Sequence, residues 1–398
     1  MLDKSFELLA RDDIDSLVRT AVAENKVLDY KEGLPGNSDG DRKEFFADVS
    51  SFANASGGHI IFGVQEKRDV KDRPTGIPEA AKGLANVNAD AVILQLESAV
   101  RDGIVPRIPG IRTKAIEGFA DGPIIIMWIP KSWAAPHMIA RKDSRFYSRT
   151  SAGKYPLDVS EIRTAFALSE SLVEKVERFR EERLARIIAD ETPVLLESGL
   201  RVVLHLIPVS TLESTMQISL QAVAEKAALL KPIYSGAPYY RYNFDGLLAY
   251  SEMYKPPCRR SYIQFFRNGA IETVECHLAS GNGKKLIHSI TFEASLSQAL
   301  AQYLALERSL GIAPPFWTML SLLSAQGYIM APPRGIIWPD EVHPIDRDAL
   351  LLPEILVEDY VDETAAMLHT TFDTVWQAAG WFGSPNYDKD GTWGGDKL

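Results

Sequence analysis

The apolar positions of this chain first recur with helical spacing and then alternate. Ile14, Leu17, Val18 and Val22 share one face of a helix predicted over 12–23, which Asp12 or Asp13 can cap. A short strand follows at 26–31, with Val27 and Asp29 on one side and Leu28 and Tyr30 on the other. The breakers in Gly33-Leu-Pro-Gly-Asn-Ser-Asp-Gly40 make a loop. A second helix begins near Asp41, carries Phe45, Phe46, Val49, Phe52 and Ala53 as its stripe, and stops at Gly57-Gly58. His59 to Val64 is a buried strand. Residues 67–75 are charged and contain Pro74, so they read as a turn, with Ile77 returning beside that strand. A helix at 88–100, strands near 111–117 and 123–129, and another at 145–149 complete the first part.

From Val159 to Ile188 there is neither proline nor glycine, and the pattern predicts one long helix or two. The second half opens with a strand at 200–207 and a helix at 217–230. Aromatic strands follow at 239–244, 261–266 and 270–277, the last two joined through Asn268-Gly269, a strong hairpin signal. Helices at 294–309 and 358–379 close the chain. The expected fold class is α+β. An N-terminal mixed sheet with flanking helices spans 1–168, a helical linker 169–192, and a second α+β domain 193–398. That last domain reads as a sensor, regulatory or oligomerisation module.

Composition narrows the class. With 46% hydrophobic and 24% charged residues over 398 positions, the chain is that of a globular protein able to bury a sizeable core. Cys258 and Cys276 are the only cysteines and form no CxxC pair, so neither zinc nor a disulfide framework is expected, and a reducing cytoplasm fits. The opening is charged from the third residue and reads as no signal peptide. The longest apolar run, Ile124 to Ile129, is too short to span a bilayer, so no membrane partner is expected. The net charge of −10 argues against indiscriminate nucleic-acid binding, but it is uneven. Residues 1–168 hold 23 basic and 24 acidic residues, and the remainder 20 and 29. The first part is the better candidate to face a polyanion.

Candidate chemistry concentrates between Glu24 and Glu66. Asp29-x-Lys31 puts a carboxylate and an ammonium on one face of a strand. Mg²⁺ or Mn²⁺ takes oxygen ligands, and on a phosphate such an ion neutralises charge and activates water. A lysine beside it adds charge stabilisation. Glu24 can join Asp29 only if the chain turns between them, and Glu66 only if the two strands are neighbours. Asn54 and Ser56 are placed to position a water or phosphate. The bland alternative is a set of solvated acids at strand ends. A second constellation spans 131–154, where Lys131, Arg141, Lys142, Arg145, Arg149 and Lys154 face a single acid, Asp143, with Phe146 and Tyr147 between. Such a row can grip a nucleic-acid backbone, or can guard an exposed edge strand against aggregation. No GxxxxGK[ST] or GxSxG occurs, so neither a P-loop ATPase nor a hydrolase elbow is supported.

In order along the chain stand Glu24, Asp29-Tyr-Lys31, Ala53-Asn54-Ala-Ser-Gly57-Gly58, Gly63-Val64-Gln-Glu66 and Arg149-Thr-Ser-Ala-Gly153. As an ordered set over about residues 10–168 they resemble the AlbA_2 domain of Schlafen-related proteins. The resemblance implies a mixed α+β domain that binds nucleic acid. Its Schlafen branch implies a metal-dependent endoribonuclease with three acids, here Glu24, Asp29 and Glu66, holding Mg²⁺ or Mn²⁺. Relative to that pattern Asp replaces Glu at 29 and Glu replaces Asp at 66, which keeps the charges and changes reach by one methylene. Schlafen nuclease cores pair two related lobes to clasp a duplex RNA, and the resemblance implies a structured, tRNA-like substrate. Only one lobe is visible here, which implies a homodimer. The expected function is thus an endonuclease acting on RNA ahead of DNA, with a bacterial antiviral defence role by analogy. Glu24, Asp29 and Glu66 are the acids, Lys31 the stabilising base, and Arg145 and Arg149 backbone contacts. The alternatives are a non-catalytic DNA-binding regulator and an interaction scaffold with a vestigial site.

Overall fold

The spacing at the start of the chain folds as α1 (Arg11–Arg19), which buries Ile14 and Leu17. The structure is a computed structural model describing residues 6–140, 143–210, 218–280, 285–333, 335–337, 341–361 and 363–395. β1 (Leu28–Lys31) leads through the predicted loop into α2 (Asp39–Asn54). Ser38 caps α2: its hydroxyl oxygen accepts the Asp41 N–H at 3.1 Å, and the Asp41 carboxylate bonds back to Ser38. Asp39 and Asp41 in the first turn also suit the positive end of the helix dipole. β2 (Gly58–Phe62) then pairs in parallel with β1, placing Asp29 opposite Ile60, with α2 as the crossover that parallel strands require.

β3 (Val64–Arg68) and β4 (Pro74–Ala81) form an antiparallel hairpin, so the turn expected from Lys67 is shorter and the strand continues to Arg68. After α3 (Ala89–Gly103) and the short β5 (Ile104–Val105) come β6 (Arg112–Ile116) and β7 (Ile124–Ile129). The sheet order is β1-β2-β7-β6. β7 is apolar throughout because it is covered on both faces. Ile125, Met127 and Ile129 pack with Phe45, Phe52 and Leu96. Ile124 and Ile126 pack with Ile14 and Leu17. β8 (Met138–Ile139) and the hairpin β9 (Tyr147–Thr150) and β10 (Gly153–Pro156) complete this unit.

α4 (Val159–Ile188) is a single helix. The chain's two compact units, Met1–Val173 and Glu174–Leu398, divide within it. The second unit is built on a large antiparallel sheet. Its strands lie in the order Tyr239–Tyr242, Gly246–Tyr250, Ser261–Phe266, Ile271–Glu275, Arg201–Pro208 and Phe316–Leu323, with Ala349–Leu351 and Ile355–Val357 pairing beyond the last. Asn268-Gly269 joins two paired strands, as its sequence implies. The helices Ser289–Ser309 and Thr364–Ala378 supply Phe292, Leu296, Phe372 and Trp376 to the core of one face. Leu184 and Ile187 pack with Val203, Leu248 and Val274 on the other. The helix expected at 217–230 is a short Leu220–Ala224 and a 3-10 turn, Ala227–Leu229, and 211–217 lie outside the described residues. Among the described residues no helix is long and apolar enough to cross a membrane.

Candidate functional site

Glu24 follows α1, at the point where the chain must reverse to enter β1. The reversal is built from three hydrogen bonds. The Tyr30 N–H donates to Oε1 of Glu24 at 2.7 Å, the Tyr30 hydroxyl donates to the Val22 carbonyl at 2.9 Å, and the Glu24 N–H donates to the Gly76 carbonyl at 2.7 Å. Gly76, in β4, also donates its own N–H to Oε2 of Glu66 at 2.7 Å. One glycine therefore links the two glutamates, and its φ of +71° is one that residues with a Cβ rarely adopt. A Cβ there would stand 3.2 Å from Oε2 of Glu24.

The carboxyl of Glu24 feels the charge of Asp29. Burial, then the charge of Asp29, then that of Glu66 push Glu24 up to about 7, against the bond from Tyr30. Asp29 behaves oppositely. It is buried, which alone would raise it, yet Lys31 at 2.9 Å and Arg149 at 3.1 Å hold it below its ordinary value. Lys31 also reaches Asp48 at 3.2 Å, and Asp48 takes Lys154 at 2.7 Å. Burial would lower Lys31, but Asp48 and Asp29 outweigh it and raise its pKa, so Lys31 stays cationic. Asp48 itself is raised by burial in spite of its two lysines. The result is a chain of alternating charges, Arg149–Asp29–Lys31–Asp48–Lys154, with Lys154 also paired to Glu44. Lys31 lines a cavity of about 210 Å³ together with Asp41, Glu44, Phe45, Asp48 and Phe62.

The basic row of 131–154 does not form one exposed strip. Arg149 is 8% exposed, and its guanidinium lies 3.6 Å from the Phe52 ring centroid while bonding Asp29. It faces inward because Asp29 and Phe52 together offer it a charge partner and a π face. Lys154 is turned to its two acids. Arg145 is exposed and pairs at 3.6 Å with Asp143, which also takes Lys43 at 3.1 Å. Lys131 is exposed. Arg141 and Lys142 lie outside the described residues. Asn54 is not free to position a substrate: Nδ2 donates to the carbonyls of His137 and Tyr147 at 2.9 and 2.8 Å, and Oδ1 accepts the His137 N–H at 2.7 Å. It clamps the end of α2 to the following segments. Asp48 is the residue that sequence reasoning missed, a lone acid within the apolar run of α2.

A metal fits this site in part. Among the described residues no group of three His, Cys, Asp or Glu is set to hold an ion. Glu66 acts on Glu24 through charge, with one oxygen committed to Gly76. The donors are all oxygens, though, and Mg²⁺ commonly uses one or two carboxylates with several waters and substrate phosphate. Glu24 is raised by burial and two neighbouring acids, and among the described residues neither it nor Glu66 stands in an ion pair, unlike Asp29 and Asp48.

An α+β domain with paired acids at the edge of a mixed sheet is the class these observations define. Residues 24–158 match the family model described as Schlafen, AlbA_2, and this segment is an AlbA_2 domain. Among curated proteins none matches the chain. The chain is similar to the solved N-terminal domain of a protein related to the ATP-dependent DNA helicase RecG from Nitrosomonas europaea. That likeness has 15% identity over 31% of this chain and 74% of that one, with a TM-score of 0.23. It is also similar to a protein from Corynebacterium diphtheriae, at 14% identity over 55% of this chain and 38% of that one, with a TM-score of 0.24.

Proposed function

We propose that the first unit is a metal-assisted endonuclease domain acting on structured RNA. The AlbA_2 match supports a nucleic-acid-related function. The observation that carries the step from binding to cleavage is the Glu24–Asp29 pair, in which one acid is held ionised by two bases and the other is pushed up to about 7. Environments that drive paired carboxylates apart in pKa are those that divide acid and base roles. Glu24 and Asp29 would hold the Mg²⁺ or Mn²⁺, with Glu66 adding charge beside them. When bound, the ion supplies neutralisation of the phosphate charge. Without it, the Glu24 carboxyl keeps its proton up to about pH 7. Lys31, held between Asp29 and Asp48 in the lining of its cavity, would present a fixed cation to a phosphodiester.

The test is cleavage of a structured RNA with Mn²⁺ by the wild type and by Glu24→Gln combined with Asp29→Asn. Loss of cleavage in the double variant is expected, and undiminished cleavage would overturn the site. Homodimerisation, implied by the two-lobed clasp of Schlafen cores, is part of the proposal, and a fully active monomer in light scattering would remove it. A second reading, a non-catalytic nucleic-acid-binding regulator, has one observation in its favour: Asp29 is already compensated by Lys31 and Arg149. It predicts salt-dependent binding with no cleavage.

A further inference from the structure

We propose that the edge of the large sheet in the second unit is a stacking platform for single-stranded nucleic acid. The edge strand Tyr239–Tyr242 pairs on one side only, with Gly246–Tyr250. All four of its residues are exposed, and three are tyrosines. Phe244, in the turn that follows, is 94% exposed. Side chains alternate along a strand, so Tyr240 and Tyr242 share one face and Tyr239 and Arg241 the other. The attachment points of Tyr240 and Tyr242 lie about 6.7 Å apart, twice the base-stacking rise of about 3.4 Å. On the second face Tyr239 stacks on Tyr250, with centroids 5.9 Å apart and planes at 28°. The Arg259 guanidinium lies 4.4 Å from the centre of the Tyr250 ring and 5.9 Å from that of Tyr239. Exposed aromatic side chains thus stand on both faces of one sheet edge, a concentration of apolar surface that fits a binding site better than ordinary scatter.

Charge selects the occupant. Residues 234–268 contain five Lys and Arg and two acids, inside a half of the chain that is otherwise acidic. Arg241 and Arg267 donate to the carbonyls of Pro193 at 3.0 Å and Phe244 at 2.9 Å, and Arg259 donates to that of Ser251. None of these three arginines stands in an ion pair among the described residues. A carbonyl orients a guanidinium but cancels none of its charge. In the first unit, by contrast, Arg149 and Lys154 are matched by carboxylates. Exposed aromatic faces combined with uncompensated arginines suit a strand whose bases are free to stack and whose phosphates need neutralising. A duplex keeps its base faces inside. Strand pairing with a second copy would use the edge main chain and leave the arginines without a purpose. The proposal stands independently of the first unit's reading.

The experiment is fluorescence anisotropy of a labelled 12-nucleotide oligouridylate and oligothymidylate with the full chain in EDTA, which removes any cleavage. Tyr240→Ala with Tyr242→Ala is expected to weaken binding by about 5- to 100-fold. Arg241→Gln is expected to flatten the salt dependence by about 0.7 in the log–log slope. Phe244→Ala, in the turn, gives an independent weakening should the strand variants unfold in a thermal scan. Binding of a hairpin duplex as tight as of the single strand would overturn the proposal. So would double-variant and Phe244→Ala affinities within twofold of wild type, or a change only in oligomeric state by light scattering.

Discussion

The Tyr30 amide donates to Oε1 of Glu24 at 2.7 Å, closing a six-residue reversal that returns the acid to its own strand. That bond settles where Glu24 points, next to Asp29, and burial there makes its ionisation costly. Its folded-state pKa of about 7 lies above its ordinary 4.5, so the folded state binds more protons between these values. The stabilising contribution is complete below pH 4.5 and is lost as pH rises through 7. In Glu24→Gln this dependence disappears. Between pH 5 and 8 the wild type is expected to lose about 1–2 kcal/mol relative to that variant, after allowance for partial solvent screening. Urea unfolding of both proteins across this range measures the difference.

The same proton gives a readout for metal. Ion binding at Glu24 must displace it, so Mn²⁺ affinity should rise with pH up to about 7. Calorimetry in two buffers of different ionisation enthalpy should register close to one proton released per ion at pH 6 and little at pH 8. An ion that binds without proton release does not bind at Glu24.

Gly76→Ala tests the link between the glutamates. The substitution puts a Cβ 3.2 Å from Oε2 of Glu24 on a backbone with φ of +71°. The expected cost is about 1–2 kcal/mol, together with displacement of the Glu66 carboxylate from the Gly76 N–H. Thermal unfolding reads the first effect and Mn²⁺ titration the second.

Arg149 separates a structural role from a contact role. Its guanidinium is buried on Phe52 and bonded to Asp29. Arg149→Met leaves a buried carboxylate short of one partner, a loss of about 3 kcal/mol. In a unit of this size that corresponds to a fall of about 6–12 °C in its unfolding temperature. A surface phosphate contact would cost almost nothing in stability, so calorimetry of the protein without nucleic acid distinguishes the two.

These cases show which parts of the protein were legible in its sequence. Several of the residues that carried the resemblance are structural. Asn54 clamps two segments, and Gly57 sits where a Cβ would meet the Lys131 amide nitrogen at 2.6 Å. Arg149 lies over the Phe52 ring. Residues whose type is dictated by close packing or a fixed bond leave a readable pattern, which is why the ordered motifs resemble a known domain. Asp48 could not. Its partners Lys31 and Lys154 are remote in sequence, and no local period announces a bond across the fold. In the second unit Asn268-Gly269 named its own hairpin. Phe316–Leu323, a strand inside the sheet, did not, because an apolar run of that length reads equally as buried helix.

Glu272 lies at the heart of that second sheet and offers the opposite pH sign. Arg183 binds it through two nitrogens at 2.8 Å each, Nε2 of His205 lies at 3.0 Å, and the Tyr262 hydroxyl donates at 2.8 Å. Burial alone would raise this acid, but the bonds from Arg183 and His205 bring it down to about 2. Its folded value is below 4.5, so its contribution is present above pH 4.5 and lost as pH falls through 2. Glu272→Gln keeps the shape and removes the charge, leaving Arg183 buried against a neutral amide. The expected loss is about 3–5 kcal/mol at pH 7. Because the variant lacks the titrating group, its stability should fall less steeply than that of the wild type from pH 5 to pH 3. Denaturant unfolding followed by near-ultraviolet circular dichroism, which reports on the aromatic packing around Tyr262 and Phe266, would show a parallel acid dependence in the two proteins if Glu272 were not the group responsible.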